Sequence, residues 1–245
     1  MTKEGILYFH QGWTDIINCL ALINYYCNIY DKIYLIMRED AKQMIDFYTK
    51  NIHNLQIFYE NKNIIDPQNG FQFVINKYSN LQLQNTDFLG IGSHDNYRKD
   101  EFKKAFSRMP KFFVNAFYEN YNIPYITRIN AFNFTRNIEL ENSTYDTFIN
   151  THGKEYILYH EIIENYDSSK KIINLNGISD IFFDMIKILE NALEIHLLDS
   201  IWGAFIYQLD AKYKLFQNKK IFLYAKRNYK SMFEKPIKLN NWIIK

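Results

Sequence analysis

Residues 5–9 form a short apolar run, with charge before it and His10-Gln11-Gly12 after it. This pattern predicts a buried strand ending in a glycine turn. Thr14 or Asp15 stands where a helix cap is expected, and Ile16, Leu20, Ile23 and Cys27 then recur at three- and four-residue spacing, which gives one apolar helix face. In residues 32–37, Ile33, Leu35 and Met37 alternate with Tyr34 and Ile36, predicting a second strand. Residues 40–51 read as a helix and residues 55–59 as a third strand. Strand and helix alternating in this way imply a parallel sheet with right-handed crossovers. Residues 71–76 and 86–91 are expected to extend that sheet, the second leading into the glycine-bearing turn Gly90-Ile91-Gly92-Ser93-His94-Asp95. A long helical segment follows over residues 100–121, broken at Pro110.

Residues 122–150 show no clear period and contain Pro124, so they read as a connection. The strand–helix pattern then starts again. Residues 155–159 predict a strand ending at His160-Glu161, and residues 171–175 one ending at Asn176-Gly177. Ser179 is placed to cap a helix whose apolar face carries Phe182, Met185, Ile186 and Leu189. Residues 194–198 predict a strand ending at Asp199-Ser200, followed by a helix through Trp202, Phe205 and Leu209. Residues 221–225 read as another strand and residues 242–245 as a short tail. The fold class is therefore α/β, with two successive Rossmann-like domains expected to face each other across a cleft. Residues 1–125 form the first domain, residues 126–152 the connection and residues 153–245 the second.

Composition narrows the field. A chain of 245 residues makes one large domain or two small ones. Lys+Arg 29 against Asp+Glu 27 leaves a net charge of +2, which gives no basic footprint for nucleic acid and no acidic tail. Only Cys19 and Cys27 are available, too few to staple a fold of this size, so they are expected to be reduced core residues of a cytoplasmic protein. The start of the chain lacks a secretory signal pattern. The longest uncharged segment, residues 16–30, contains three Asn and falls short of the ~20 apolar residues that span a bilayer. Aromatic content is high, with 20 Tyr and 20 Phe. Many of these Tyr are expected to pack as Leu would while keeping a polar tip in water.

In open parallel sheets ligands bind beyond the carboxyl ends of the strands, so candidate chemistry is sought there. Asp199-Ser200 closes a strand and opens a helix, whose N–H groups and dipole favour an anion such as phosphate. An N-cap that only caps explains the same residues. Asp15, beside Gly12, could take a proton from an attacking hydroxyl, or could simply complement its helix dipole. His10 and His160 each end a strand and could donate to phosphate or move a proton; a satisfied core or surface histidine is the plain alternative. Lys226-Arg227 follow a strand and could neutralise phosphate charge. The sequence has no GxxxxGK[ST], no G-x-G-x-x-G after the first strand and no GxSxG. Nor does it have HExxH, CxxC or a D-x-D pair, so no dedicated metal site and no resident cofactor are expected.

The opening turn Gly12-Trp13-Thr14-Asp15-Ile16-Ile17 resembles the glycine–acid turn of heptosyltransferase-type enzymes, which are GT-B glycosyltransferases. Thr14 stands where that group usually has Gly. Phe117-Tyr118-Glu119, Ile123-Pro124-Tyr125, Arg128, Phe132 and Arg136 resemble an aromatic–Pro–Arg–Arg pattern of small bacterial and viral glycosyltransferase-like proteins. Tyr159-His160-Glu161 and Ile195-His196-Leu197-Leu198-Asp199-Ser200 resemble the strand ends that follow it there. The resemblance implies metal-independent transfer of a sugar from a nucleotide diphosphate to a glycan or other hydroxyl acceptor, with inversion. Asp15 would be the base. His160, Ser179, Asp199, Ser200, Lys226 and Arg227 would hold the donor, and His10, Gln11, Gly12, Trp13 and His94 would lie on the acceptor side. Arg128 and Arg136 have a plain alternative as inter-domain salt bridges. The competing readings are a non-catalytic nucleotide- or sugar-binding protein of the same fold and an epimerase of the GT-B type.

Overall fold

The computed structural model describes residues 3–9, 12–63, 70–81, 86–91, 113–119, 121–161, 169–179, 181–224, 239 and 241–245. The chain divides into two compact units, Met1–Asn133 and Phe134–Lys245. Each is built on its own parallel sheet.

The first sheet contains β1 (Glu4–Phe9), β2 (Lys32–Arg38), β3 (Leu55–Glu60) and β4 (Thr86–Ile91), in the order β3-β2-β1-β4 with every pairing parallel. Ile6, Leu7, Tyr8 and Phe9 are fully buried, as a central parallel strand covered on both faces requires. Helix α1 (Trp13–Cys27) follows β1, and α2 (Lys42–Thr49), entered through a 3-10 turn, follows β2. Every residue from Ile16 to Ile23 is buried. The expected single apolar face is thus a helix enclosed nearly all round. Its N-cap is Gly12, with no side-chain cap, so neither Thr14 nor Asp15 takes the expected capping role.

Residues 71–76 were expected to be a strand and instead lie in helix α3 (Gly70–Lys77). The deciding contacts are Val74 and Tyr78, four residues apart, which pack into a cluster with Ile6, Tyr8, Tyr34 and Ile36. Helices α4 (Phe113–Glu119) and α5 (Thr127–Asn130) complete the unit. The rest of the expected 100–121 helix, with Pro110, lies outside the described residues.

The second sheet contains β5 (Tyr156–Tyr159), β6 (Lys171–Asn174), β7 (Glu194–Leu198), β8 (Lys220–Tyr224) and β9 (Trp242–Ile244), in the order β6-β5-β7-β8-β9, again parallel throughout. The expected C-terminal tail is therefore an edge strand. Asp210 on helix α8 secures it by accepting hydrogen bonds from Asn241 Nδ2 (3.1 Å) and Trp242 Nε1 (2.9 Å). Here α6 is Ile138–His152, α7 is Ile186–Asn191 and α8 is Ile201–Tyr213. Helix α6 replaces much of the aperiodic connection expected over residues 122–150. Its N-cap Asn137 accepts Leu140 N–H at 3.1 Å. Only Glu141 and Phe148 on it are buried, so it lacks the apolar stripe that marks a helix in sequence.

Candidate functional site

Strand order locates the chemistry. In the second sheet, β6 lies on one side of β5 while β7, β8 and β9 lie on the other. The chain reverses direction between β5 and β7, and a crevice at the carboxyl ends of such strands is where open α/β sheets bind ligands. His160 follows β5, and Asp199-Ser200 follow β7.

The two ends meet. His160 N–H donates to His196 C=O at 2.9 Å, continuing the β5–β7 ladder by one bond. Strand β7 runs on to Asp199 and Ser200, and α8 begins when Ala204 N–H bonds Ser200 C=O at 2.9 Å. Ser200 is the N-cap, yet its hydroxyl makes no cap hydrogen bond. Its Oγ lies 2.8 Å from His160 Nδ1 and donates at longer range, 3.3 Å, to Leu198 C=O. The first N–H groups of α8 have no intrahelical acceptor, as at any helix start, and they carry the positive end of its dipole.

Burial holds the His160 imidazole below its usual pKa, with Glu161 opposing. The ring is therefore neutral at neutral pH. Glu161, which has a left-handed backbone (φ 65), places its carboxylate 3.9 Å from Nε2. The tautomer protonated at Nε2 lets Nδ1 accept the Ser200 hydroxyl and puts the ring proton on the atom nearer Glu161, whose carboxylate at 3.9 Å is too distant for a hydrogen bond. Asp199 is buried beside this pair, at 5% exposure.

The remaining donor-side expectations separate from this pair. Ser179 lies beyond edge strand β6, where its hydroxyl donates to Asp184 Oδ2 (2.8 Å) and accepts Ile181 N–H (3.0 Å). It shapes a turn; the N-cap of the 3-10 turn Phe182–Met185 is Ile181. Lys226 and Arg227 lie outside the described residues, as do His10, Gln11 and His94.

In the first sheet the reversal falls between β1 and β4, since β2 and β3 lie on one side of β1 and β4 on the other. The turn after β1 carries Gly12, Trp13 and Asp15. Gly12 C=O accepts both Asp15 N–H and Ile16 N–H at 3.0 Å, which opens α1. Trp13 and Asp15 are half-buried in the first turn. One turn on, burial pushes the Cys19 thiol well up; the Asp15 carboxylate adds to the shift, while the Arg128 guanidinium draws it down.

Arg128 is thus part of the surroundings of α1, fully buried, with Nη1 donating to Tyr125 Oη at 2.5 Å. Arg136 bonds Glu141 and Glu190 (Nη1–Oε1 2.9 Å) inside the second unit. Tyr125 shares the first unit with Arg128, and Glu141 and Glu190 share the second with Arg136. Both cysteines are free thiols. Among the described residues no group of three or more His, Cys, Asp or Glu could hold a metal ion, and no helix is long and apolar enough to cross a membrane.

No protein-family model matches the sequence, and no curated protein does. Among solved structures, a glycosyl transferase family 9 crystal structure from Veillonella parvula DSM 2008 is similar at a TM-score of 0.57 and 10% identity, over 99% of this chain and 86% of that one. Two structures of E. coli heptosyltransferase WaaC, with ADP-2-deoxy-2-fluoro heptose and with ADP, match at TM-scores of 0.41 and 0.44 and 9% identity, covering 98% of this chain and 92% and 90% of theirs. The first likeness is one of fold: an α/β chain with two parallel sheets, as in GT-B glycosyltransferase structures.

Proposed function

We propose that the chain is a glycosyltransferase that moves a sugar from a nucleotide-diphosphate donor to a hydroxyl acceptor, with inversion and without a metal, in the cytoplasm. The observation that carries this reading is the Ser200–His160 pair at the tip of α8, in a chain whose fold is that of a glycosyl transferase family 9 structure. Breaking the donor's sugar–phosphate bond leaves negative charge on the diphosphate. Fixed N–H groups and a helix dipole aimed at that charge stabilise it, the task a metal ion performs in other transferases. Ser200 can add a hydroxyl donor once its proton turns from His160 to a phosphate oxygen. His160 then supplies a proton from Nδ1 to Ser200 Oγ, either in its other neutral tautomer or as the cation.

On the first unit, Asp15 takes the acceptor's proton. It stands in the first turn of α1, where the helix dipole favours negative charge, and a carboxylate is a group that can accept a proton. A single base acting on the acceptor fits one displacement with inversion at the sugar carbon.

Two measurements test the reading. Thermal unfolding with UDP, GDP, TDP and ADP should show an upshift with at least one of them, because a ligand that binds only the native state stabilises it. At a concentration a hundredfold above Kd, the gain is about 2.7 kcal/mol. Asp15→Asn should keep that upshift and lose transfer. Absence of an upshift with every nucleotide overturns the donor site; undiminished transfer by Asp15→Asn removes Asp15 as the base.

A further inference from the structure

A second polar feature lies in the second unit, one hydrogen bond from the helix tip: Trp202 Nε1, in the first turn of α8, donates to Asn176 Oδ1 at 3.3 Å. One side of α6 and the end of β6 line an open groove of about 520 Å³ to which none of His160, Asp199 or Ser200 contributes. That volume falls within the range of small-molecule sites, ~300–1,000 Å³. Asp184 forms part of its wall at 6% exposure.

The Asp184 carboxylate is underfilled. Oδ2 accepts Ser179 Oγ at 2.8 Å and Thr144 Oγ1 only at 3.5 Å, and the residue's own backbone N–H helps hold the carboxylate, while Oδ1 is buried with no hydrogen-bond partner from another residue among the described residues. An ionised carboxylate has about four acceptor sites, and leaving them empty in a buried place is costly. Burial accordingly holds this carboxyl above its usual range.

The rest of the wall is set for hydroxyl groups. Thr147 donates its hydroxyl to Ser143 C=O (2.9 Å) and Thr151 donates to Thr147 C=O (3.3 Å), so each oxygen keeps lone pairs for an incoming donor. Asn174 Oδ1 accepts Asn176 N–H at 2.9 Å, which leaves its amide NH2 to donate. Ile178 adds an apolar wall. The lining itself contains no lysine or arginine; its histidine, His152, is held toward the neutral form by burial and by Lys171, whose ammonium is tied to Thr151 C=O at 3.1 Å, and there is one carboxylate where a cation site needs several. Neutral vicinal hydroxyls both donate and accept, and the C–H face of a sugar ring suits the apolar wall.

We infer that this groove is a carbohydrate site for a neutral mono- or disaccharide, adjoining the Ser200 helix tip but lined by none of His160, Asp199 and Ser200. It does not depend on the proposed transfer reaction: a chain that failed to bind nucleotide would still bind sugar here.

The test uses the full chain, 15N-labelled and free of nucleotide, titrated with D-glucose, D-galactose, N-acetyl-D-glucosamine and maltose. The expected result is saturable movement of the Gly177 and Ser179 amide resonances with at least one of these sugars. Asp184→Asn should weaken that binding about tenfold, the worth of a hydrogen bond to a charged group. Thr147→Val with Thr151→Val changes two exposed positions and preserves the helix; it should weaken binding without moving the thermal midpoint, and so serves if Asp184→Asn fails to fold. UDP, GDP, TDP or ADP should not displace the sugar. Amide shifts that never saturate with any sugar, equal binding by the Thr double variant, or displacement by a nucleotide would each overturn the inference.

Discussion

Asp210→Ala should unlock the C-terminal strand. Asp210 sits near the end of α8 and is fully buried. Its Oδ1 accepts Phe216 N–H at 3.0 Å, while Oδ2 accepts Asn241 Nδ2 at 3.1 Å and Trp242 Nε1 at 2.9 Å. Hydrogen bonds to a charged group contribute ~1.5–3 kcal/mol each. Asn241 and Trp242 are half-buried and recover much of theirs from water once the carboxylate is gone. The Phe216 amide is buried and recovers nothing, which leaves ~1–3 kcal/mol for that donor alone. A counter-term comes from the helix: an acid in the last turn opposes the dipole by ~0.3–1 kcal/mol, and that cost disappears with the side chain. The net loss is about 2 kcal/mol. With a urea slope of ~1–3 kcal/mol/M, the midpoint of the second unit should fall by roughly 0.7–2 M. Native-state hydrogen exchange should show Ile243 and Ile244 losing protection before β7 and β8 do. Asp210→Asn, which keeps one acceptor oxygen, should cost about half as much. An Asp210→Ala protein within ~0.5 kcal/mol of the parent, the scale of ordinary surface changes, with β9 protection intact, would refute this account.

Gly5→Ala should destabilise the first unit by about 1–2 kcal/mol in urea unfolding, because a Cβ there meets Ile33 Cδ1 at 2.9 Å and the Tyr30 ring at 3.1 Å. The Ile33 methyl can move, but the Tyr30 hydroxyl is tied to Asp87 at 2.5 Å. Burial holds His160 and His196 below their usual range, so below about pH 6.5 the unfolded chain binds more protons than the native one and stability falls as pH falls. Asp184, held above its usual range, opposes that trend; replacing both histidines with Gln should therefore flatten the acid limb of urea midpoint against pH, and an unchanged limb would contradict the assignment. Cys19, with its thiol pushed well up and buried, should react with a maleimide only at the rate of unfolding; fast labelling of the native chain at this residue would contradict its placement. Ser200→Ala should lower affinity for the stabilising nucleotide about tenfold in titration calorimetry with little change in thermal midpoint.

What could be read from the sequence was what short range determines. Strands β1 to β8 are apolar runs with charge or turn residues at their ends, and each lies within two residues of its expected bounds. Segments held by distant partners were not legible. Strand β9 has three residues and depends on an aspartate 32 positions before Trp242. Helix α6 buries two of its 15 residues, so its sequence carries little period. The stretch FQFVIN alternates as a strand would, but packing draws on Val74 and Tyr78 at helical spacing. Tyrosine tips were expected in water, yet Tyr118 donates to Asn18 C=O at 2.6 Å and Tyr156 to Ile188 C=O at 2.8 Å. Their acceptors are 100 and 32 residues away, beyond the reach of any local pattern.

The site divides along the same line. That His160 and Ser200 end strands follows from local hydrophobic runs, but that β5 and β7 are neighbours is a matter of sheet order. Only the order brings residues 40 apart to 2.8 Å. The contact also bears on the two accounts of Ser200. A serine that merely capped α8 would give its hydroxyl oxygen to an N–H of the first turn. Ser200 instead pairs with a buried neutral imidazole, and its side chain covers none of the α8 amides. The start of a 13-residue helix, at a switch point and without a cap bond from its own N-cap serine, can take an acceptor from elsewhere. In the function proposed above that acceptor is a diphosphate, and the serine hydroxyl has only to turn away from His160 to join it.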